Sequence, residues 1–175
     1  MPILGVLHRG EQLSGWAGGA KFVTLCHALD VNQAAVRQSL DHLIELGLVD
    51  RNSGYGHPLR PEYILTRRGD RLAPMCAAID TLLARLDVRD FALRRWSMPV
   101  VSTIDRLRSA RFNALALRID GITDRALSLS LAGLCAVDLV DRGQSRGPGQ
   151  ATAAATTAYE LSIRARPLAT LLAAI

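Results

Sequence analysis

Gln33, Arg37 and Gln38 sit in a segment whose apolar residues Val36, Leu40 and Leu43 keep helical spacing, so the three polar side chains leave the helix away from that stripe. Arginine offers a planar fork of N–H donors and glutamine a paired donor and acceptor. These match the edges of guanine and adenine in the major groove of duplex DNA. A little downstream, Arg51, His57 and Arg60 flank a glycine-containing stretch and are suited to phosphate or minor-groove contact. A second set follows in the same order later in the chain, with Arg125 and Ser128 in a helical segment and Arg142 and Arg146 after it. For each set the plain alternative is a solvated polar face, and Arg67, Arg68 and Arg71 are assigned to such a face.

Other chemistry is poorly supported. Cys26, Cys76 and Cys135 cannot all pair within one chain and stand in no close ligand spacing; each falls in an apolar helical pattern and is read as a buried thiol. His8, His27, His42 and His57 are scattered, so neither a metal nor another cofactor is expected. No nucleophile and base stand together and no phosphate loop is present; Asp41, His42 and Glu45 along one helix are ordinary solvation, and an enzyme is not expected. The net charge of +5 is carried almost wholly by arginine, Lys21 being the only lysine. That usage suits nucleic acid but also a G- and C-rich genome, so it does not decide. No stretch reaches the ~18 uninterrupted apolar residues of a membrane span, and a cytoplasmic protein with no membrane partner is expected.

The elements that must position these residues are legible as a repeat. KFVTLCHALDVNQAAVRQSLDHLIELGLVDR, from Lys21 to Arg51, superposes on RFNALALRIDGITDRALSLSLAGLCAVDLVDR, from Arg111 to Arg142, with Gly121 as one extra residue. Phe22, Leu25, Leu29, Asp30, Leu40, Leu43 and Leu48 align with Phe112, Leu115, Ile119, Asp120, Leu131, Leu134 and Leu139. The match resumes where Tyr63, Leu65, Thr66 and Leu72 meet Tyr159, Leu161, Ser162 and Leu168, after a connection five residues longer in the second copy.

In one copy, Phe22, Leu25, Cys26 and Leu29 mark a short helix. Asn32 is placed to cap a second helix that Gly47 ends in a left-handed conformation; Thr123 takes the capping place in the other copy, with Asp124 behind it at the positive end of the helix dipole. Leu48-Val49-Asp50-Arg51 and Glu62-Tyr63-Ile64-Leu65-Thr66 read as the two strands of a hairpin. Thr66 opens a long helix containing Pro74, and a shorter last helix is expected from Ser162. Ser97-Met98-Pro99 starts a helix before the second repeat, whereas ILGVLHRGEQL predicts only a short or irregular one before the first. Trp16 and Trp96 are read as packing residues.

The order of helix, helix-turn-helix, strand, wing, return strand and terminal helix resembles HxlR-type winged-helix regulators, within the wider MarR-like group. LIELGLVDR with RPEYILTRRGDRLAP carries the likeness in the first copy; RWSMPVV, RFNALALRIDGITDRALSLSL and DLVDR carry it in the second. The expected fold is therefore mainly α with small β-hairpin wings (α+β), a tandem winged helix-turn-helix pseudo-dimer with units at 1–88 and 89–175. The resemblance implies a bacterial transcriptional regulator binding double-stranded DNA, open to an unknown small-molecule effector and to further dimerisation. Three departures stand out: neither copy has the cysteine of the family's redox sensors, the second wing GQSRGPGQATAAATTA is alanine-rich, and Leu129 stands where the first copy has Gln38. They leave room for a winged-helix scaffold turned to protein or small-molecule binding, with little DNA affinity.

Overall fold

The computed structural model describes residues 2–14, 19–52, 61–145 and 156–174. Among these the chain is mainly helical with small antiparallel sheets, and it divides into two compact units, Met1–Thr81 and Leu82–Ala174.

The first unit holds α1 (Pro2–Ser14), β1 (Ala20–Lys21), α2 (Phe22–Leu29), α3 (Gln33–Glu45), β2 (Val49–Asn52), β3 (Glu62–Leu65) and most of α4 (Arg67–Arg85). The short or irregular opening expected from the sequence is corrected: α1 is a regular helix of 13 residues. Pro2 occupies its first turn, where a missing N–H costs nothing. Ile3, Leu4, Val6 and Leu7 are buried. Gly5 interrupts that apolar stripe because α1 runs close to α4, where an added Cβ would stand 3.1 Å from the Ala77 Cα.

Asp30, at φ 51°, ends α2, and its N–H donates to the Cys26 carbonyl at 3.2 Å. Asn32 then caps α3, its side-chain oxygen accepting from the Ala35 N–H at 2.8 Å. At the other end Gly47 adopts φ 64°. The N–H groups of Gly47 and Leu48 return to the carbonyls of Ile44 and Leu43, both at 2.9 Å, which satisfies the last turn of α3 and turns the chain into β2.

β3 lies between β1 and β2, with Val49 opposite Leu65, Arg51 opposite Tyr63 and Ala20 also opposite Tyr63. The third strand, β1, was not anticipated; two residues are too few to show alternation. Thr66 joins the sheet to α4. Its hydroxyl donates to the Gly47 carbonyl at 2.8 Å and accepts from the Gly69 N–H at 3.0 Å, while its own N–H donates to the Leu48 carbonyl at 3.2 Å. Leu25, Val36, Leu40 and Val49 form the centre of the core, with Phe22, Tyr63 and Leu65 packed around it.

The second unit comprises the end of α4, then α5 (Arg89–Ala92), α6 (Ser97–Leu107), β4 (Ser109–Ala110), α7 (Phe112–Ala116), α8 (Asp124–Ala136), β5 (Val140–Ser145), β6 (Thr156–Leu161) and α9 (Arg166–Ala173). The cap on its α8, the turn that leaves α8 and the hydroxyl joint after β6 repeat the bonds of the first unit, whereas α7 ends at Ala116 and the left-handed residue before α8 is Gly121, at φ 73°, rather than the counterpart of Asp30. Thr123 caps α8 by accepting from the Ala126 N–H at 3.2 Å. Asp138, at φ 55°, replaces Gly47, and the N–H groups of Asp138 and Leu139 bond to the Cys135 and Leu134 carbonyls at 3.1 and 2.9 Å. Ser162 replaces Thr66, donating to the Asp138 carbonyl at 2.7 Å and accepting from the Ala165 N–H at 3.3 Å. Strand order is again outer, return, outer (β4-β6-β5), and Tyr159 faces both Ala110 and Arg142. Val100, Ile104, Leu115, Leu127, Leu134 and Leu168 are fully buried here.

Two further expectations are adjusted. The last helix starts at Arg166 rather than Ser162, after a turn closed by the Ala165 N–H on the Ser162 carbonyl at 3.1 Å, with Pro167 in its first turn. Of the three free thiols only Cys76 is buried; Cys26 and Cys135 are half-buried, because their positions fall at the margin of the apolar stripe. Trp96 is half-buried beneath the Arg95 guanidinium, 4.7 Å from its ring centroid, in keeping with a packing role; Trp16 lies outside the described residues. No helix among the described residues is long and apolar enough to cross a membrane.

Candidate nucleic-acid interface

The outward side of α3 is set by what its other side must bury. Val36, Leu40 and Leu43 are held in the core, which leaves Gln33, Arg37 and Gln38 exposed on the N-terminal half of the helix and Asp41, His42 and Glu45 exposed on the C-terminal half. The polarity of the face therefore changes along its length. The N-terminal half carries one cation and two amides beside the positive end of the helix dipole, a setting that favours an anion. The C-terminal half carries two carboxylates, with the His42 Nδ1 3.6 Å from Glu45, and repels phosphate. A shallow depression follows the whole face, from Ala34 through Arg37 and Gln38 to Glu45.

Arg37 has an aromatic partner at the edge of this surface. Its guanidinium lies over the Phe22 ring, 5.0 Å from the centroid, and Phe22 is itself packed on the core at the start of α2. Arg51 is exposed on β2, and its register opposite Tyr63 fixes where the hairpin presents it. His57 and Arg60 lie outside the described residues. Arg68, read as part of a solvated face, donates to the Leu46 carbonyl at 3.3 Å and so helps to close the end of α3.

In the second unit, Arg125 and Ser128 are exposed on α8 and Arg142 is exposed on β5 opposite Tyr159; Arg146 lies outside the described residues. Asp124, in the first turn of α8, is also exposed and places a carboxylate beside Arg125; beyond Ser128 the exposed face is apolar. Leu129 is 65% exposed, and Ala132 and Ala136 stand where the first unit has Asp41 and Glu45. Gly133, the counterpart of His42, is roofed by Phe91 of α5: an added Cβ would fall 2.1 Å from two atoms of that ring. Arg164, the counterpart of Arg68, donates to the Val137 carbonyl at 3.1 Å and also to that of Leu86.

The sequence matches no described protein family, and no curated protein is detectably similar to it. The reading of this surface therefore rests on its own geometry. Among the described residues, no group of three or more His, Cys, Asp or Glu side chains is placed to hold a metal ion. Burial pushes the Cys76 and Cys135 thiols up from their ordinary value; for Cys135, Arg142 works against that rise and Asp141 adds to it. Neither thiol is thereby disposed to act as a thiolate.

Two features of this surface escaped the sequence reading. The Phe22–Arg37 pairing joins residues on different helices, and only the packing angle of α2 on α3 brings them together. The cover over Gly133 depends on α5, a helix of four residues that carries no periodic signal. A glycine in the middle of α8 was the one trace of it, since an interior glycine weakens a helix unless something passes close by.

Proposed function

We propose that the protein is a DNA-binding transcriptional regulator of bacterial, cytoplasmic type, built as a tandem winged helix-turn-helix pseudo-dimer of the HxlR kind, whose two units are unequal readers. The observation that carries this reading is the exposed N-terminal face of α3. Gln33, Arg37 and Gln38 stand together beside a capped helix start, with Arg51 presented from the adjoining strand. A helix of this type reads bases with its N-terminal residues while the hairpin holds the backbone. The carboxylates of Asp41 and Glu45 suit such a pose, because they turn the C-terminal half of the helix away from phosphate. Arg125, Ser128 and Arg142 give the second unit a weaker version of the same surface.

The test is binding of the purified protein to duplex fragments from its own genomic neighbourhood, titrated with salt and repeated with Arg37→Ala. The expected result is tight binding that falls steeply with salt and a variant that loses sequence preference, since phosphate contacts release counterions and base contacts specify. Binding no stronger than that of an arbitrary basic protein overturns the reading.

One observation favours a second role for the second unit. The exposed apolar run of Leu129, Ala132 and Ala136 supports a scaffold turned to protein or small-molecule binding there. Leu129→Gln distinguishes the two: unaltered DNA affinity assigns α8 to the second role, and altered affinity or site choice assigns it to DNA.

A further inference from the structure

We infer that Phe22 is a positioning residue for Arg37, holding its guanidinium as a preset reader of guanine in a G·C pair. The inference rests on the proposed reading of DNA by α3 and names the base read and the residue that sets the reader. Arginine on an exposed helix samples many rotamers, and ordering it on a base edge ordinarily consumes part of the contact energy. Here the guanidinium already lies over an aromatic ring, 5.0 Å from its centroid. The ring is anchored on one side, because Phe22 is half-buried and packs against the core cluster that includes Leu25 and Val36.

A guanidinium that stacks flat on a ring keeps the N–H donors along its edge available, and that is the pose required of Arg37. A planar pair of donors is the arrangement that meets the O6 and N7 acceptors of guanine. The amides at Gln33 and Gln38 suit adenine instead, so the arginine is assigned to guanine and the glutamines to its neighbours. The arrangement belongs to the first unit alone. Phe112 keeps the aromatic position in the second unit, but the residue corresponding to Arg37 is Ser128, which carries no cation for a ring to hold.

The experiment selects bound sequences from a pool of duplexes with a randomised central segment, using the full chain and the variants Phe22→Leu, Phe22→Tyr and Arg37→Lys. The wild-type protein is expected to enrich a motif containing a preferred guanine. Phe22→Leu keeps an apolar side chain but removes the π face; it is expected to weaken discrimination at that guanine by about two- to fivefold, the range of an exposed cation–π contact. The salt dependence should stay unchanged, because the charge is still present. Phe22→Tyr, which retains the face, should restore the preference, and Arg37→Lys, which lacks the fork, should lose it.

A Phe22→Leu protein that selects the same guanine as strongly as the wild type overturns the positioning role while leaving DNA reading intact. Failure of the wild type to enrich any motif overturns the underlying reading as well. Nuclear magnetic resonance of the wild-type chain gives a measure independent of whether Phe22→Leu folds. The Arg37 side-chain protons should carry a ring-current shift, and its absence overturns the inference.

Discussion

Gly69→Ala separates intrinsic helix preference from packing at the joint between sheet and α4. Glycine inside a helix costs about 0.5–1 kcal/mol relative to alanine, so propensity alone has the substitution stabilise the first unit. The geometry reverses the sign. A Cβ on Gly69 would stand 1.9 Å from the Leu48 carbonyl oxygen, a backbone atom that already accepts the Thr66 N–H at 3.2 Å. Relief requires α4 and β2 to move apart, which weakens that bond and the one from the Thr66 hydroxyl to Gly47. Overpacking of this kind costs about 1–3 kcal/mol and each strained hydrogen bond up to about 1 kcal/mol.

The second unit has Ala165 at the matching place, and there α9 begins only at Arg166, after a turn. Gly69→Ala is thus expected to delay the start of α4 in the same way, at a net loss of about 1–2 kcal/mol once the propensity gain is subtracted. Urea unfolding of the full chain followed by circular dichroism should show the first unit's midpoint lowered by roughly 0.5–1 M. A midpoint equal to or above that of the parent would refute the reasoning.

Asp138→Gly should raise the stability of the second unit by about 0.5–1 kcal/mol, since it relieves a left-handed residue at φ 55° that the first unit fills with Gly47; thermal unfolding reads the change. Asn32→Ala should cost about 1 kcal/mol through loss of the 2.8 Å cap on α3, measured by urea titration; under the proposed function a gel shift should also show weaker binding to duplex DNA. The Cys76 thiol, raised by burial, loses its proton later in the folded chain than in the unfolded one. Its stabilising contribution is full below the ordinary thiol range near ~8.5 and is lost as pH rises from there through the folded value. Urea midpoints taken across that range should therefore decline, and Cys76→Ala should flatten the decline.

Much of the fold was legible because the chain states it twice. The apolar stripes of α3 and α8, the caps at Asn32 and Thr123 and the left-handed exit at Gly47 are local signals, each carried by a few neighbouring residues. The helix α1 was underread because Gly5, which close approach to Ala77 demands, breaks its stripe. Strands β1 and β4 were missed because their partners lie across two intervening helices. At the surface, the exposure of Gln33, Arg37, Gln38, Arg125 and Ser128 followed directly from helical period. The ring beneath Arg37 and the cover on Gly133 did not, since both are products of tertiary packing.

The two-residue strands also bear on how the molecule breathes. Ala20–Lys21 and Ser109–Ala110 each close the widest loop of a sheet with very few backbone bonds, whereas β2–β3 and β5–β6 are zipped by the shorter connection. Loop closure across greater chain length is entropically harder, so β1 and β4 are expected to form late in folding and to release early. Such an opening would expose amides at the threshold of α2 or α7 without melting the unit around them. In the first unit that threshold is Phe22, so each opening of β1 would also loosen the backbone that carries the ring beneath Arg37.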